Sequence, residues 1–214
     1  FFISVFTNIT HDHLNYHGDF KTYLNTKKRL FDNLKNNQKS LVNIDDKNGM
    51  YMIQNTVSET YTMSMKKPAD FKLLVIENSF DGMTLKLDNK EIQTSLIGNF
   101  NAYNILSVAS IAKLLELNEK NIYKNLTLLQ PPNGRFEIIR NERVTAIVDY
   151  AHTPDALLNV LNTINNININ KSKVITVIGC GGGRDKNKRK KMGLIATNNS
   201  SFSVFTSDNP RNEN

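Results

Sequence analysis

A chain of 214 residues, 39% of them hydrophobic, is long enough to bury one large core or two smaller ones. Its apolar runs, such as residues 173–179, fall far short of the roughly 20 residues that cross a bilayer. Nothing resembling a signal sequence opens the chain, and Cys180 is the single cysteine, so a reducing compartment is expected, the cytoplasm, with no membrane partner.

The net charge of +7 would suit nucleic acid, but the lysines are scattered through a chain rich in Asn. The one dense basic run, residues 184–191, follows a glycine turn, which points to small anionic ligands and against a nucleic-acid partner.

Residues 1–7 read as a buried strand without a preceding turn, so a truncated N-terminus is expected. Next comes a histidine-rich stretch, Thr7-Asn8-Ile9-Thr10-His11-Asp12-His13-Leu14-Asn15-Tyr16-His17-Gly18. On residue chemistry alone His11, His13 and His17 would make a zinc site, as in a metal hydrolase, or a polar turn with incidental imidazoles. Residues 19–34 repeat apolar positions at three-to-four spacing behind a capping Asp19, which predicts an amphipathic helix. It carries Asn25-Thr26-Lys27-Lys28-Arg29-Leu30-Phe31, whose lysines read by themselves as a solvated basic face.

Short strands are expected at residues 40–44, 61–65 and 71–77, with a hairpin over 81–97 turning at Asp88-Asn89. A helix from about residue 101 to 117 follows Gly98-Asn99-Phe100-Asn101-Ala102-Tyr103-Asn104, placing Asn101 and Asn104 on one face, with Asn101 also suited to capping.

Pro131-Pro132-Asn133-Gly134 is the strongest break, and domains of 1–132 and 133–214 are expected. Beyond it lie Arg135-Phe136-Glu137, a strand at 144–150 running into Asp149-Tyr150-Ala151-His152-Thr153-Pro154, and a helix over 154–164. A strand at 173–179, a helix at 188–197 and a strand at 203–207 complete the chain. The alternation predicts a parallel α/β sheet with Asp149, residues 179–185 and residues 208–211 on one rim. Gly179-Cys180-Gly181-Gly182-Gly183-Arg184-Asp185-Lys186 is no dinucleotide turn, because Arg184 stands where the third glycine of G-x-G-x-x-G belongs. The last motif is Asp208-Asn209-Pro210-Arg211.

Taken in order, these segments resemble the motifs of the Mur ligase family, and the final tetrapeptide resembles that of its diaminopimelate-adding members, which lysine-adding ones lack. Asn15 and Gly183 depart from the family pattern. The resemblance implies the later part of a central ATP-binding domain, a mixed sheet with helices, followed by the start of a Rossmann-like amino-acid-binding domain. It implies an ATP-dependent ligase adding meso-diaminopimelate to UDP-N-acetylmuramoyl-L-alanyl-D-glutamate through an acyl phosphate, in peptidoglycan synthesis, acting as a monomer. By matching positions, His13 and a carbamoylated Lys27 hold Mg2+. Asn101, Asn104, Arg135, Asp149 and His152 face ATP, and Arg184, Asp208, Asn209 and Arg211 face the amino acid. Folylpolyglutamate-type and lysine-adding ligases are the related alternatives. No G-x-x-x-x-G-K-[ST] loop occurs in the 214 residues, so these residues by themselves are expected to be inactive.

Overall fold

The computed structural model describes residues 1–10, 17–183 and 186–213, the side chain of Asn187 excepted. Two compact units follow one another, Phe1–Gln130 and Pro131–Asn214.

The first unit is built on a six-stranded sheet in chain order, β1 (Ile3–Phe6), β2 (Lys39–Asn43), β3 (Glu59–Ser64), β4 (Phe71–Ser79), β5 (Gly82–Leu87) and β6 (Lys90–Thr94). β1 to β4 run parallel, and β5 and β6 are added antiparallel. Parallel strands are covered on both faces, which removes the polar alternation from β2. Its successive residues Leu41 and Val42 point to opposite faces, and both are fully buried. Leu41 joins Met63, Leu73 and Leu85 beneath Ala102, Ile105 and Leu106 of helix α3 (Asn99–Leu114). Val42 joins Phe6, Phe31, Leu34 and Met52 beneath α1 (Phe20–Asp32) and the short α2 (Gly49–Met52). As expected, Asp19 caps α1, accepting from the Thr22 N–H at 2.8 Å. Asp88 and Asn89, between β5 and β6, both adopt positive φ (47° and 66°), the backbone that a two-residue hairpin loop requires.

Two sequence expectations are corrected here. α3 begins at Asn99, not Asn101, and its N-cap position is Gly98 at φ 92°, a conformation that L side chains rarely adopt. Asn101 therefore does not cap the helix. Helix α4 (Glu119–Thr127), capped by the Asn118 side chain on the Asn121 N–H, was not foreseen.

In the second unit α5 (Pro154–Ile167) and α6 (Asn187–Asn199) pack through Leu157, Leu161, Met192 and Ala196. Thr153 caps α5, and Pro154 supplies its first turn without wasting a donor. β9 (Ile175–Cys180) and β10 (Phe202–Ser207) pair in parallel, as expected. β8 (Thr145–Val148) does not join them as the strand-helix alternation predicted. It pairs antiparallel with an unforeseen β7 (Glu137–Arg140) in a separate two-stranded sheet. The physical reason is proximity: a four-residue connection closes this hairpin with little loop entropy, whereas pairing with β9 must span the whole of α5.

Candidate functional site

The glycines after β9 and the tetrapeptide after β10 are brought together by the parallel register, in which Gly179 lies opposite Thr206 and Cys180 opposite Ser207. A Cβ on Gly179 would come within 2.9 Å of the Asp208 backbone nitrogen, and one on Gly182 would overlap the Pro210 carbonyl oxygen. The absence of side chains is thus what allows the two turns to touch. The Gly182 N–H donates to the Asn209 carbonyl at 2.9 Å, and Asp208 turns its carboxylate onto the Asn209 N–H at 2.8 Å. Arg211, at φ 53°, runs past Gly183, its Cδ 3.5 Å from where a Cβ would stand. Arg184 lies outside the described residues. Asp208, Asn209 and Arg211 are exposed, so their polar groups are open to a ligand.

Glu213, which the sequence did not single out, fastens these turns. It accepts from the Gly183 N–H at 2.9 Å and pairs with the Arg189 guanidinium at 2.7 Å. The Arg189 bond and then the Gly183 bond hold its carboxyl down to about 2. A glutamate two residues past the tetrapeptide reads in isolation as a solvated charge, so only the register of β9 and β10 reveals it.

Arg135, Asp149 and His152 form a second grouping around the loop after β8. Asp149 accepts from the Phe136 N–H (2.8 Å) and the Ala151 N–H (2.7 Å), which stitches the start of the unit to this loop. A carboxylate has about four acceptor positions, and the described donors occupy two of them. Arg135 stacks its guanidinium 4.6 Å from the centroid of the Tyr150 ring, and His152 meets that ring edge-on at 5.0 Å. Tyr150 was another unforeseen member. The turns after β9 and β10 meet, as expected. The described contact from α6 to the Asp149 loop is Lys188 Nζ to the His152 carbonyl at 3.0 Å.

In the first unit Lys27 and Lys28 are adjacent on α1 and differ in burial and in ion pairing. Lys28 is 5% exposed, ion-paired with Asp32 and placed over Tyr51. Lys27 is exposed, its ammonium 5.6 Å from the Tyr23 ring, and His17 lies 4.9 Å from the same ring. The α1 face bearing Lys27 is therefore the one met by the end of the histidine-rich stretch. His13 and His11 lie outside the described residues, and among the described residues no cluster of three or more His, Cys, Asp or Glu is poised around a metal. The donor chemistry at Lys27 fits a magnesium ligand only as a carbamate: the exposed amine can be modified, and hard cations take oxygen.

At the start of α3, Asn101 donates to the Ile97 carbonyl at 2.8 Å, and Asn104 donates to the Asn101 side chain at 3.3 Å. The same helix is moored by Tyr103, which donates to Asp45 just beyond β2 at 2.8 Å. Asp45 also receives the Ser64 hydroxyl and the Met65 N–H, both at 2.7 Å. Burial pushes the Asp45 carboxyl upward, but these donors outweigh it and leave it below the usual carboxylate range. Burial, then the Asp45 contact, raises the Tyr103 phenol well above its ordinary value.

Two α/β units, one with a moored asparagine-bearing helix and one with facing glycine and arginine turns, make an architecture that known proteins share. Residues 1–112 match the Mur ligase middle domain and residues 134–214 the Mur ligase glutamate ligase domain, so the chain belongs to the Mur ligase family. It is 51% identical over 210 residues to the UDP-N-acetylmuramoyl-L-alanyl-D-glutamate–2,6-diaminopimelate ligase of Bacteroides thetaiotaomicron, which covers 98% of this chain and 44% of that protein. The ligase of the same description from Bacillus velezensis is 40% identical, over 99% of this chain and 45% of that one. The chain thus spans less than half the length of these curated relatives. A solved structure of a UDP-N-acetylmuramoyl-L-alanyl-D-glutamate–2,6-diaminopimelate ligase superimposes with a TM-score of 0.68 at 31% identity, over 99% of this chain and 45% of that one. No helix among the described residues is long and apolar enough to cross a membrane.

Proposed function

We propose that these residues form the later ATP-binding domain, 1–132, and the beginning of the amino-acid-binding domain, 133–214, of a cytoplasmic, monomeric ligase. It joins meso-diaminopimelate to UDP-N-acetylmuramoyl-L-alanyl-D-glutamate. ATP phosphorylates the D-glutamate carboxylate, the amine of diaminopimelate attacks the acyl phosphate, and ADP and phosphate leave. Lys27, as its carbamate, and His13 hold Mg2+, which when bound offsets the negative charge of the phosphates. Asn101 and Asn104 face the nucleotide from α3. Arg135 approaches a phosphate, Asp149 accepts ribose hydroxyl protons, and His152 lines the pocket. Arg184 and Arg211 take the distal carboxylate of diaminopimelate, while Asp208 and Asn209 hold its ammonium or orient the arginines.

The observation that carries this reading is the seating of the Asp208-Asn209-Pro210-Arg211 turn against the glycine turn, which leaves Asp208 and Arg211, one of each charge, exposed on the same turn. A zwitterionic amino acid end needs that pairing of charges, whereas the bare ammonium of lysine does not. The test is ADP release by the complete gene product supplied with ATP, Mg2+, UDP-N-acetylmuramoyl-L-alanyl-D-glutamate and one amino acid at a time. Release dependent on meso-diaminopimelate is expected, and preference for L-lysine or L-glutamate refutes the assignment.

A further inference from the structure

Glu213 belongs to none of the sequence motifs and Arg189 entered only as part of the basic run 184–191, yet they bridge the turns after β9 and β10. Glu213 follows the tetrapeptide and Arg189 stands in the first turn of α6. One carboxylate oxygen accepts from the Gly183 N–H, and the other meets the Arg189 guanidinium. Arg189 continues to the Gly181 carbonyl at 3.4 Å, while its buried Nε has no partner among the described residues. Glu213 is also bonded through its own N–H to the Pro210 carbonyl at 3.0 Å. The chain of contacts therefore runs from the tetrapeptide through Glu213 to both ends of the Gly181-Gly182-Gly183 segment, and Gly183 directly precedes Arg184.

We infer that Glu213 and Arg189 act as a positioning pair that fixes the spacing between the glycine turn after β9 and the Arg211-bearing turn after β10, and so sets affinity for the amino acid substrate. The inference rests on the proposed function only for the identity of that substrate. The pair acts through the two turns it joins, by way of Gly181, Gly183 and Pro210. A charge-assisted pair is the stronger class of hydrogen bond, and here it ties the glycine turn after β9 to the tetrapeptide turn after β10. The low Glu213 pKa keeps the pair charged at every pH where such an enzyme works.

The test uses Glu213→Gln, Arg189→Met and the double variant in the complete gene product. Each single change is expected to raise KM for the amino acid about tenfold, the double change no further, and KM for ATP to stay within about twofold. Amide exchange at Gly183 is expected to quicken in Glu213→Gln. Unchanged amino acid KM with only a lower Tm, or both KM values rising together, overturns the inference. If Glu213→Gln does not fold, Arg189→Lys decides, because an ammonium cannot span Glu213 and Gly181 together: a wild-type KM from it would be fatal. A wild-type enzyme that prefers another amino acid refutes the proposed function but not this pair, which is then read on that amino acid's KM. Unaltered Gly183 exchange refutes the pair whatever the substrate.

Discussion

At residue 211 the shape of the cation matters as much as its charge. A guanidinium offers two parallel N–H donors to a carboxylate, and an ammonium offers a point charge on a flexible stem. Arg211→Lys in the complete gene product is therefore expected to raise KM for meso-diaminopimelate about tenfold or more while KM for ATP moves less than about twofold. Equal changes in both would remove Arg211 from the amino acid site. The neighbouring lysines of α1 allow a sharper contrast. Lys28 is buried against Asp32 and Tyr51, so Lys28→Ala is expected to destabilise the fold by about 1–2 kcal/mol through lost packing and a lost charged bond. Lys27→Ala is expected to leave Tm unchanged and to lower kcat by about a hundredfold or more, because it removes the proposed metal-ligand carbamate. Parallel thermal melts and rate measurements check both, and a reversed pattern would exchange the roles of the two lysines. Spacing alone could not have chosen between them, since both read as a solvated basic face; the resemblance singled out Lys27, and packing explains why Lys28 is unsuited.

Elements with one long apolar face were legible from sequence, while those defined by a neighbour were not. α1, α3, α5 and the β5–β6 hairpin follow from apolar spacing, capping residues and Asp88-Asn89. α2 spans four residues and has no periodicity to detect, and α4 is nine residues long with two buried positions. β7 became visible only through its pairing with β8, which in turn drew β8 away from the expected parallel sheet. The Asp45–Tyr103 contact shows the same dependence, because a residue after β2 and one on α3 have no sequence relation. Its energetics are testable at this scale. Asp45 has a depressed folded pKa, so its contribution to stability is fully present above the unfolded carboxylate value and is lost as pH falls through the lower folded value. Tyr103→Phe removes one of the donors that hold the pKa down. The variant is expected to lose about 1 kcal/mol at neutral pH and to show a smaller stability decline in acid than the wild-type chain, measured by urea unfolding from pH 7 to pH 3. An identical acid profile would show that Tyr103 contributes nothing to the ionised state of Asp45.

Taken whole, the chain holds two units whose apolar surface is satisfied to different degrees. In the first unit β1 and β2 are covered on both faces by the clusters around Leu41 and Val42. In the second unit α5 and α6 cover one face of β9 and β10, burying Leu157, Leu161, Met192 and Ala196. The other face carries Ile175 and Val177 paired in register with Phe202 and Val204, at 64%, 67%, 63% and 38% exposure. Four contiguous apolar side chains on a two-stranded sheet make a patch of the kind that binds apolar dyes and drives association. The 214-residue chain is therefore expected to enhance 1-anilinonaphthalene-8-sulfonate fluorescence and to self-associate as its concentration rises into the micromolar range. Ile175→Thr with Val177→Thr keeps β-branched side chains on the strand, so secondary structure is expected to persist while the dye signal falls by about half or more. Circular dichroism checks the first expectation and fluorescence with sedimentation velocity the second. A dye signal and association state unchanged by the pair of substitutions would locate the exposed apolar surface elsewhere in the chain.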